Sequence, residues 1–536
     1  MPLVTVVKRN LFRDSIQLMR LTEDVKKLDG VDDAVVSMGT DTNKRLLRDL
    51  GLLGQETKGA GDGDLIIAVK VESSAKTGEV MDRVQRLVMS PPAASMGPRI
   101  STAHSIQSAL QRAGGANLAV VSVPGGQAFG PSMELLRNGV NLHLFSDHVP
   151  LEQEVELKTY ASSKGLLVMG PGAGTSIING VGLGFANSVK KGYVGIVASA
   201  GTGIQEVSIL LDRIGLGVSA ALGVGGTDVS EKVGGIMMKD CLGLLEADEN
   251  TRVLMIIAKT PTERVMGEVM AYVVRRTTKP VVACFLGQDS PPTLGGRVRY
   301  AKTLHSAVLR AAQASGGGAE KEFERRVSIT FDDLLESSRR LAAGLGAEKK
   351  YVRGLYSGGT LAHETLLIFR ELVGEAYSNT PLSEKFALEN PDKSKENSIV
   401  DLGDEFFTAG RAHPMIDPTL RRLRIAQESK DAGVAAIMLD IVLGFGSSTD
   451  PGGALQRVIE DAKLGARKLG SDMVVMAHVC GTESDPQSLG EQSNKLSSAG
   501  AVLFETNALM AAAGALIVGG DAAAARLESR WGELLG

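Results

Sequence analysis

The chain has 536 residues, 58 of them basic and 62 acidic, for a formal net charge of −4; at about 150 residues per domain it holds three or four domains, and its charge balance argues against a bulk nucleic-acid binder, which would carry a basic excess. Hydrophobic residues at 43% and charged residues at 22% exclude wholesale disorder. Glycine is in excess, 64 residues or about 12% against an average near 7%, while aromatics make up 4%, a mixture suited to tight strand-to-helix turns rather than stacking surfaces.

In chain order, strand-like segments at 3–8, 31–38 and 65–71 alternate with helical segments at 15–28, 43–53 and 78–89. An alternation this short predicts a small α+β domain of ferredoxin-like type over 1–95. Residues 90–99, with Pro91, Pro92 and Pro98, read as a linker. Apolar strands are then expected at 118–123, 142–145, 166–169, 194–197, 253–257, 281–285, 351–356, 435–439, 473–477 and 501–504, with amphipathic helices between them. Continuous apolar strands separated by helices indicate parallel sheets covered on both faces. The polar stretch 314–326 reads as a domain boundary and 389–398 as a loop within a domain.

The later half repeats itself. Gly201-Thr202-x-x-x-Glu206 returns as Gly359-Thr360-x-x-x-Glu364, and each copy is followed by a strand, a glycine-containing loop, a helix and two more apolar strands. Two copies of one flavodoxin-like module are the economical reading.

Four strands run into small-residue turns read as helix openings: Ala198-Ser199-Ala200-Gly201-Thr202-Gly203, Ser357-Gly358-Gly359-Thr360, Gly444-Phe445-Gly446-Ser447-Ser448-Thr449-Asp450, and Gly170-Pro171-Gly172-Ala173-Gly174-Thr175. The first turn of a helix leaves backbone N–H groups unpaired and carries roughly half a positive charge, so small residues there let an anion reach the backbone. Ser199, Gly201, Thr202, Gly358, Gly359, Thr360, Gly446 and Ser447 are therefore candidate donors to a phosphate or carboxylate. The competing reading is that Ser, Thr and Gly open helices everywhere as ordinary caps.

No two of the seven histidines have metal-ligand spacing with a third partner, so no metal is expected. His413, in Gly410-Arg411-Ala412-His413-Pro414-Met415-Ile416-Asp417, is a candidate with Arg411 for orienting a carbonyl or anion, the alternative being a surface His in a capping loop. His363 and Glu364 follow the second anion turn by one helical turn and could reach across it, or simply lie on a helix surface. Pro124-Gly125-Gly126-Gln127-Ala128-Phe129-Gly130 lacks the spacing of a dinucleotide loop, and no P-loop is present. Cys241, Cys284 and Cys480 form no CxxC pair and read as buried thiols in a reducing compartment. Residues 1–13 lack a signal-peptide pattern and the apolar run 508–518 is too short for a bilayer, so a cytoplasmic protein without a membrane contact is expected.

From about residue 101 to 519 these motifs resemble the NDP-forming acyl-CoA synthetases typified by succinyl-CoA synthetase. The resemblance implies a Rossmann-like domain of CoA-binding type at 101–190, a ligase domain of α-subunit type at 191–313 and one of β-subunit type at 345–520. The N-terminal extension, the fused repeat and the segment from Gly410 to Asp417 are more closely similar to the FdrA family. That family includes acyl-CoA synthetase-like proteins and a subunit of oxamate carbamoyltransferase, an enzyme of allantoin and purine catabolism. The sequence departs from the synthetases in three places. The loop Pro291-Pro292-Thr293-Leu294-Gly295-Gly296-Arg297-Val298 has no histidine where the family carries its phosphoryl group, the nearest position being Val298. The glycine-rich CoA loop is missing, as is an ATP-grasp segment between the repeats. What the resemblance then implies is a carbamoyltransferase subunit acting on phosphate or carbamoyl phosphate and a small carboxylate such as oxamate or oxalurate. Gly172, Gly174 and Thr175 would hold the carboxylate-bearing substrate, other enzyme subunits would be partners, and the chain would be oligomeric. No cofactor is required; the alternatives are an acyl-CoA synthetase of unusual layout using CoA, and a non-catalytic scaffold subunit.

Overall fold

The computed structural model describes residues 2–11, 15–73, 77–89, 103–288, 296–408, 411–468, 470 and 472–536. The linker expected at 90–99 and the loop bearing Pro291 and Pro292 lie outside them. The chain divides into two compact units, one of Met1–Thr102 with Gly403–Asp417, the other of Ala103–Leu402 with Pro418–Gly536.

In the first unit, β1 (Leu3–Lys8), α1 (Ser15–Lys26), β2 (Val31–Met38), α2 (Asp41–Asp49), β3 (Leu65–Val71) and α3 (Thr77–Met89) form an antiparallel sheet ordered β1-β3-β2. The period-two alternation of β3 splits the core. Leu65, Ile67, Val69 and Val71 meet α1 and α3 through Leu18, Val25, Val80 and Val84, while Ile66 and Ala68 meet Leu47 of α2 on the other face. The second helix begins two residues earlier than the spacing predicts because Thr40 caps it, its hydroxyl accepting from Asn43 N–H.

The second unit opens with α4 (Ile106–Arg112) and a three-stranded parallel sheet of β4 (Leu118–Val121), β5 (Asn141–Leu144) and β6 (Val168–Met169), connected by α5 (Gly125–Arg137) and α6 (Leu151–Ser163). After β6 the structure differs from expectation. Gly170 to Thr175 leads into no helix but into the hairpin β7 (Thr175–Ile178) and β8 (Val181–Gly184). The β-branched run Thr175-Ser176-Ile177-Ile178 followed by Asn179 and Gly180, both at positive φ (52° and 78°), makes a two-residue hairpin turn.

The first module comprises β9 (Lys191–Ala198), α7 (Gly201–Arg213), β10 (Val218–Gly223), α8 (Ile236–Ala247), β11 (Val253–Lys259), α9 (Glu263–Arg276), β12 (Val281–Leu286), β13 (Val298–Ala301) and α10 (Leu304–Ser315). Two helices follow, α11 (Ala319–Arg326) and α12 (Phe331–Ala343). The stretch 314–326, expected as a boundary, is therefore largely helical; Glu322 pairs with both Arg325 and Arg326 on its exposed face. The second module has β14 (Tyr351–Tyr356), α13 (Gly359–Leu372), β15 (Ser398–Asp401), α14 (Glu405–Thr408, part of the first unit), α15 (Thr419–Glu428), β16 (Val434–Val442), α16 (Pro451–Lys468), β17 (Val474–Cys480), α17 (Leu489–Ser498), β18 (Val502–Phe504) and α18 (Asn507–Leu534).

The sheets run β13-β12-β11-β9-β10-β7-β8 and β15-β14-β16-β17-β18. Counted within each module, both place five parallel strands in the order 2-1-3-4-5, the flavodoxin-like doubly wound arrangement. Among the described residues α18 is the one helix long and apolar enough to cross a membrane. It is broken at Gly520, and its first half, from Asn507 to Leu516, is buried in the core.

The modules are joined by an exchange of helix caps. Glu206 of α7 accepts from Asn507 N–H at the start of α18, and repeat-related Glu364 of α13 accepts from Leu304 N–H at the start of α10, at 3.3 and 2.7 Å. Each module's first helix thus caps the other module's last helix. Asn507 Nδ2 donates to Glu364 Oε2 at 2.7 Å, and His478 Nε2 bonds Glu206 Oε2 at 2.7 Å. Burial pushes the Glu364 carboxyl up, to about 7, with the Glu206 charge adding to the push. Burial alone would also raise Glu206, but His478 outweighs it and holds that carboxyl below the usual range. A second buried centre fastens α6 to the first module: Lys158 Nζ donates to Glu154 Oε1, Val224 O and Asp228 Oδ1 at 2.7, 2.9 and 2.9 Å.

Three stability changes are expected. Glu364→Ala, which strands the Leu304 N–H and the Asn507 amide, should cost about 3 kcal/mol in denaturant titration. Lys158→Met, which leaves two buried carboxylates facing each other, should cost about 3–5 kcal/mol. Because Glu364 binds its proton more tightly folded than unfolded, stability should fall as pH rises from about 4.5 to about 7. Melting temperatures across that window should show the fall, and Glu364→Gln should flatten it.

Candidate functional site

The candidate site is built where α7 and α13 meet at their N-termini. Thr360 N–H donates to Thr202 Oγ1 at 3.2 Å, and a Cβ placed on Gly203 would lie 3.2 Å from both Thr360 Cγ2 and Ile257 Cγ2. The repeat-related turns are therefore brought together at the C-terminal ends of their strands, where doubly wound sheets bind ligands.

The two termini are not equivalent. At α7 the cap residue Ala200 offers no side-chain acceptor, and the amides of Gly201, Thr202 and Gly203 have no partner among the described residues. Ser199, 5% exposed, carries a buried hydroxyl without a partner in the turn entering the helix. At α13 the protein supplies its own anion. Asp440, fully buried in the last third of β16, accepts from Ser357 N–H and Gly358 N–H at 2.7 Å each, and Arg421 Nη2 donates to it at 3.0 Å. Asp401, at the end of β15, lies over Gly359; its Oδ2 would be 2.5 Å from a Cβ there. Gly358 is thus no amide donor to a ligand, because Asp440 already takes its N–H.

Around α7 the other expected residues fall unevenly. Gly174 and Thr175 adjoin Gly201, a Cβ on which would lie 3.7 Å from Gly174 Cα and 3.6 Å from Thr175 Oγ1. Gly172 faces the Asp147 carboxylate, 3.2 Å from its own Cβ position. Gly446 and Ser447 do not open a helix. The helix α16 starts at Pro451, and its first amides go to Gln492 Oε1 and Asp450 Oδ1 at Gly452 and Gly453. Gly446 instead packs on Phe185 and Gly184 at the end of β8, and the Ser447 hydroxyl is buried without a partner. Arg411 and His413 belong to the first unit, where Arg411 Nε donates to Asn43 Oδ1 at 3.3 Å and His413 Nδ1 accepts from Met415 N–H.

Sequence reasoning missed Asp401, Asp440 and Arg421, although an Asp closing each of two apolar strands was the available signal. His363 is 4% exposed with Nε2 unpartnered, so it does not lie on a helix surface; burial, with Lys259 nearby, pushes it down to about 3. All three cysteines are buried. One group among the described residues, Glu206, His478 and Cys480, has metal-capable atoms close together. Both His478 nitrogens are already engaged, by Phe504 O and Glu206.

Residues 355–517 match the CoA-ligase family, and residues 1–102 match the AllF heavy metal-associated domain. Residues 1–102 contain no cysteine and no histidine, so they offer a heavy metal neither thiolate nor imidazole ligands. The α subunit of the ADP-forming succinate–CoA ligase of Methanothermobacter thermautotrophicus is 26% identical over 219 residues, 40% of this chain and 71% of that subunit; that of Aquifex aeolicus is 29% identical over 217 residues, 39% and 68%. The ATP citrate lyase of Methanothrix soehngenii, solved with citrate and coenzyme A, superposes loosely, with 13% identity, a TM-score of 0.32 and coverage of 81% and 86%. The uncharacterized protein YahF of Escherichia coli is 39% identical over 502 residues, 94% of this chain and 96% of YahF. The chain belongs to the family of YahF, within the succinyl-CoA ligase-like superfamily.

Proposed function

We propose that the protein is an FdrA-type subunit of a carbamoyltransferase that moves a carbamoyl group between phosphate and a small ureido or amide acid such as oxamate. The observation that supports this reading is the terminus of α7, where three amides and the buried Ser199 hydroxyl have no partner among the described residues, as a phosphate site would require. Such a terminus contributes about 0.3–2 kcal/mol to an anion. In this reaction the oxamate nitrogen attacks the carbamoyl carbon of carbamoyl phosphate. The bond from that carbon to the phosphate oxygen breaks, and the nitrogen releases a proton. Phosphate departs onto the amides of Gly201, Thr202 and Gly203, which face the charge that develops on the leaving oxygen. Gly172, Gly174 and Thr175 would hold the carboxylate of the acceptor. Other subunits, an oligomeric state and a cytoplasmic setting belong to the same proposal.

The second reading is an acyl-CoA synthetase that takes CoA, with nucleotide chemistry from a partner. The match of residues 355–517 to the CoA-ligase family and the succinate–CoA ligase relatives favour it. The absence of a histidine between Gln288 and Val298, and a connection between the modules that is only α11 and α12, favour the transferase.

Incubation with carbamoyl phosphate and oxamate, alone and with candidate partner subunits, should yield oxalurate and phosphate. Thioester from ATP, CoA and succinate, with no oxalurate, would overturn the first reading in favour of the second. Ser199→Ala should raise the half-saturating phosphate concentration about tenfold, the value of one lost hydrogen bond to a charged group.

A further inference from the structure

The candidate site lies at the C-terminal ends of the module strands. A cavity of about 1030 Å³ lies at the opposite ends, where the first residues of β4, β5, β9 and β10 line it between the three-stranded sheet and the first module. Concave sites of this size, mostly apolar with a few polar groups, are where small molecules bind. The strand β9 separates the two places. From Lys191 in the cavity to Ala198 before the Ser199 turn it spans about 23 Å, at about 3.3 Å per residue. A ligand in the cavity is therefore a different molecule from one on the α7 amides.

The lining is divided in its chemistry. Leu166, Leu167 and Met169, in and before β6, and Ile178 of β7 form an apolar wall. Another wall is α8 with its cap, on which Asp240, Leu244 and Asp248 follow at four-residue spacing and so share one face. Leu244 is 52% exposed, a large apolar side chain that the fold leaves uncovered. Asp248 already accepts from Asn250 and Thr251. Asp240 has neither an ion pair nor a hydrogen bond among the described residues, and its neighbour Lys239 pairs with Glu268 instead. Tyr272 of α9 reaches over α8, since a Cβ on Gly243 would lie 2.6 Å from the Tyr272 hydroxyl. Burial, with the Asp240 charge adding to it, pushes that hydroxyl up. Against the half-buried carboxylates of Asp240 and Asp248 stands one ammonium, on the exposed Lys191. A concavity with an excess of carboxylates attracts cations, and a carboxylate without a partner calls for N–H donors.

We infer that this cavity binds a small organic ammonium ion with an aromatic or apolar body, its N–H groups on Asp240 and the Tyr272 oxygen and its body on Leu166, Leu167 and Met169. The inference does not depend on the phosphate reading of the α7 terminus. It assigns the chain a second ligand of opposite charge, bound at the other end of the same strands.

Tryptamine, tryptophol and indole-3-propionate share one ring system and end in an ammonium, a hydroxyl and a carboxylate. Calorimetric titration of the full chain should show tryptamine binding at least about tenfold more tightly than tryptophol, the value of a hydrogen bond to a charged group, and indole-3-propionate more weakly still. Asp240→Asn, at a partly exposed position whose side chain supports no other group, should erase that preference and leave the melting temperature unchanged. Leu244→Trp, which fills the cavity from an exposed position, should abolish binding of all three. Inorganic phosphate should not displace tryptamine. Equal binding of tryptamine and tryptophol, a preference that survives Asp240→Asn, tryptamine binding that survives Leu244→Trp, displacement by phosphate, or no binding of tryptamine at millimolar concentration would each overturn the proposal.

Discussion

Two buried glutamates hold the fused modules in register. Glu206 and Glu364 occupy the same place in the repeat, yet each spends its charge on the opposite module, capping α18 and α10 respectively. A carboxylate buried among apolar strands is costly unless its acceptors are filled. The crossed arrangement fills them with a backbone N–H from the other module together with the His478 ring for Glu206 and the Asn507 amide for Glu364. Each glutamate takes at least one backbone N–H from the opposite module, and the same interface brings Thr202 and Thr360 into contact. The candidate site is a consequence of this contact.

The duplication has not kept two equal halves. In the second module Asp440, balanced by Arg421, occupies the terminus of α13 as an internal anion. In the first module the same position of the sheet supplies apolar Ile257 and Ala258 of β11, and α7 stays open. One terminus has become part of the protein's own core, and the amides of the other have no partner among the described residues.

The N-terminal unit shows how far a domain's shape can separate from the chemistry of its relatives' name. Its sheet and helices follow from a strict alternation of apolar residues, notably in β3. Metal chemistry follows from donor atoms, and residues 1–102 have neither thiol nor imidazole. The Gly410–Asp417 segment, attractive in sequence for its Arg411 and His413, clusters with this unit, where Asn43 accepts from Arg411.

Much of the architecture was legible before any coordinates. Apolar runs located β9, β11, β12, β14, β16, β17 and β18, because buried strands must be apolar on both faces. The recurrence of Gly-Thr-x-x-x-Glu located α7 and α13 and announced their kinship. Less visible were short elements whose signal is local turn chemistry, such as the β7–β8 hairpin that replaced an expected helix, and β13, four residues long. The sequence by itself determined which helices carry small residues at their N-termini, since glycine and threonine there are a covalent fact. Only the tertiary structure decided which of those termini is open. The partners that close one, Asp440 and Arg421, lie 80 and 61 residues beyond Thr360, and no periodicity or motif links groups that meet solely through strand pairing and helix packing.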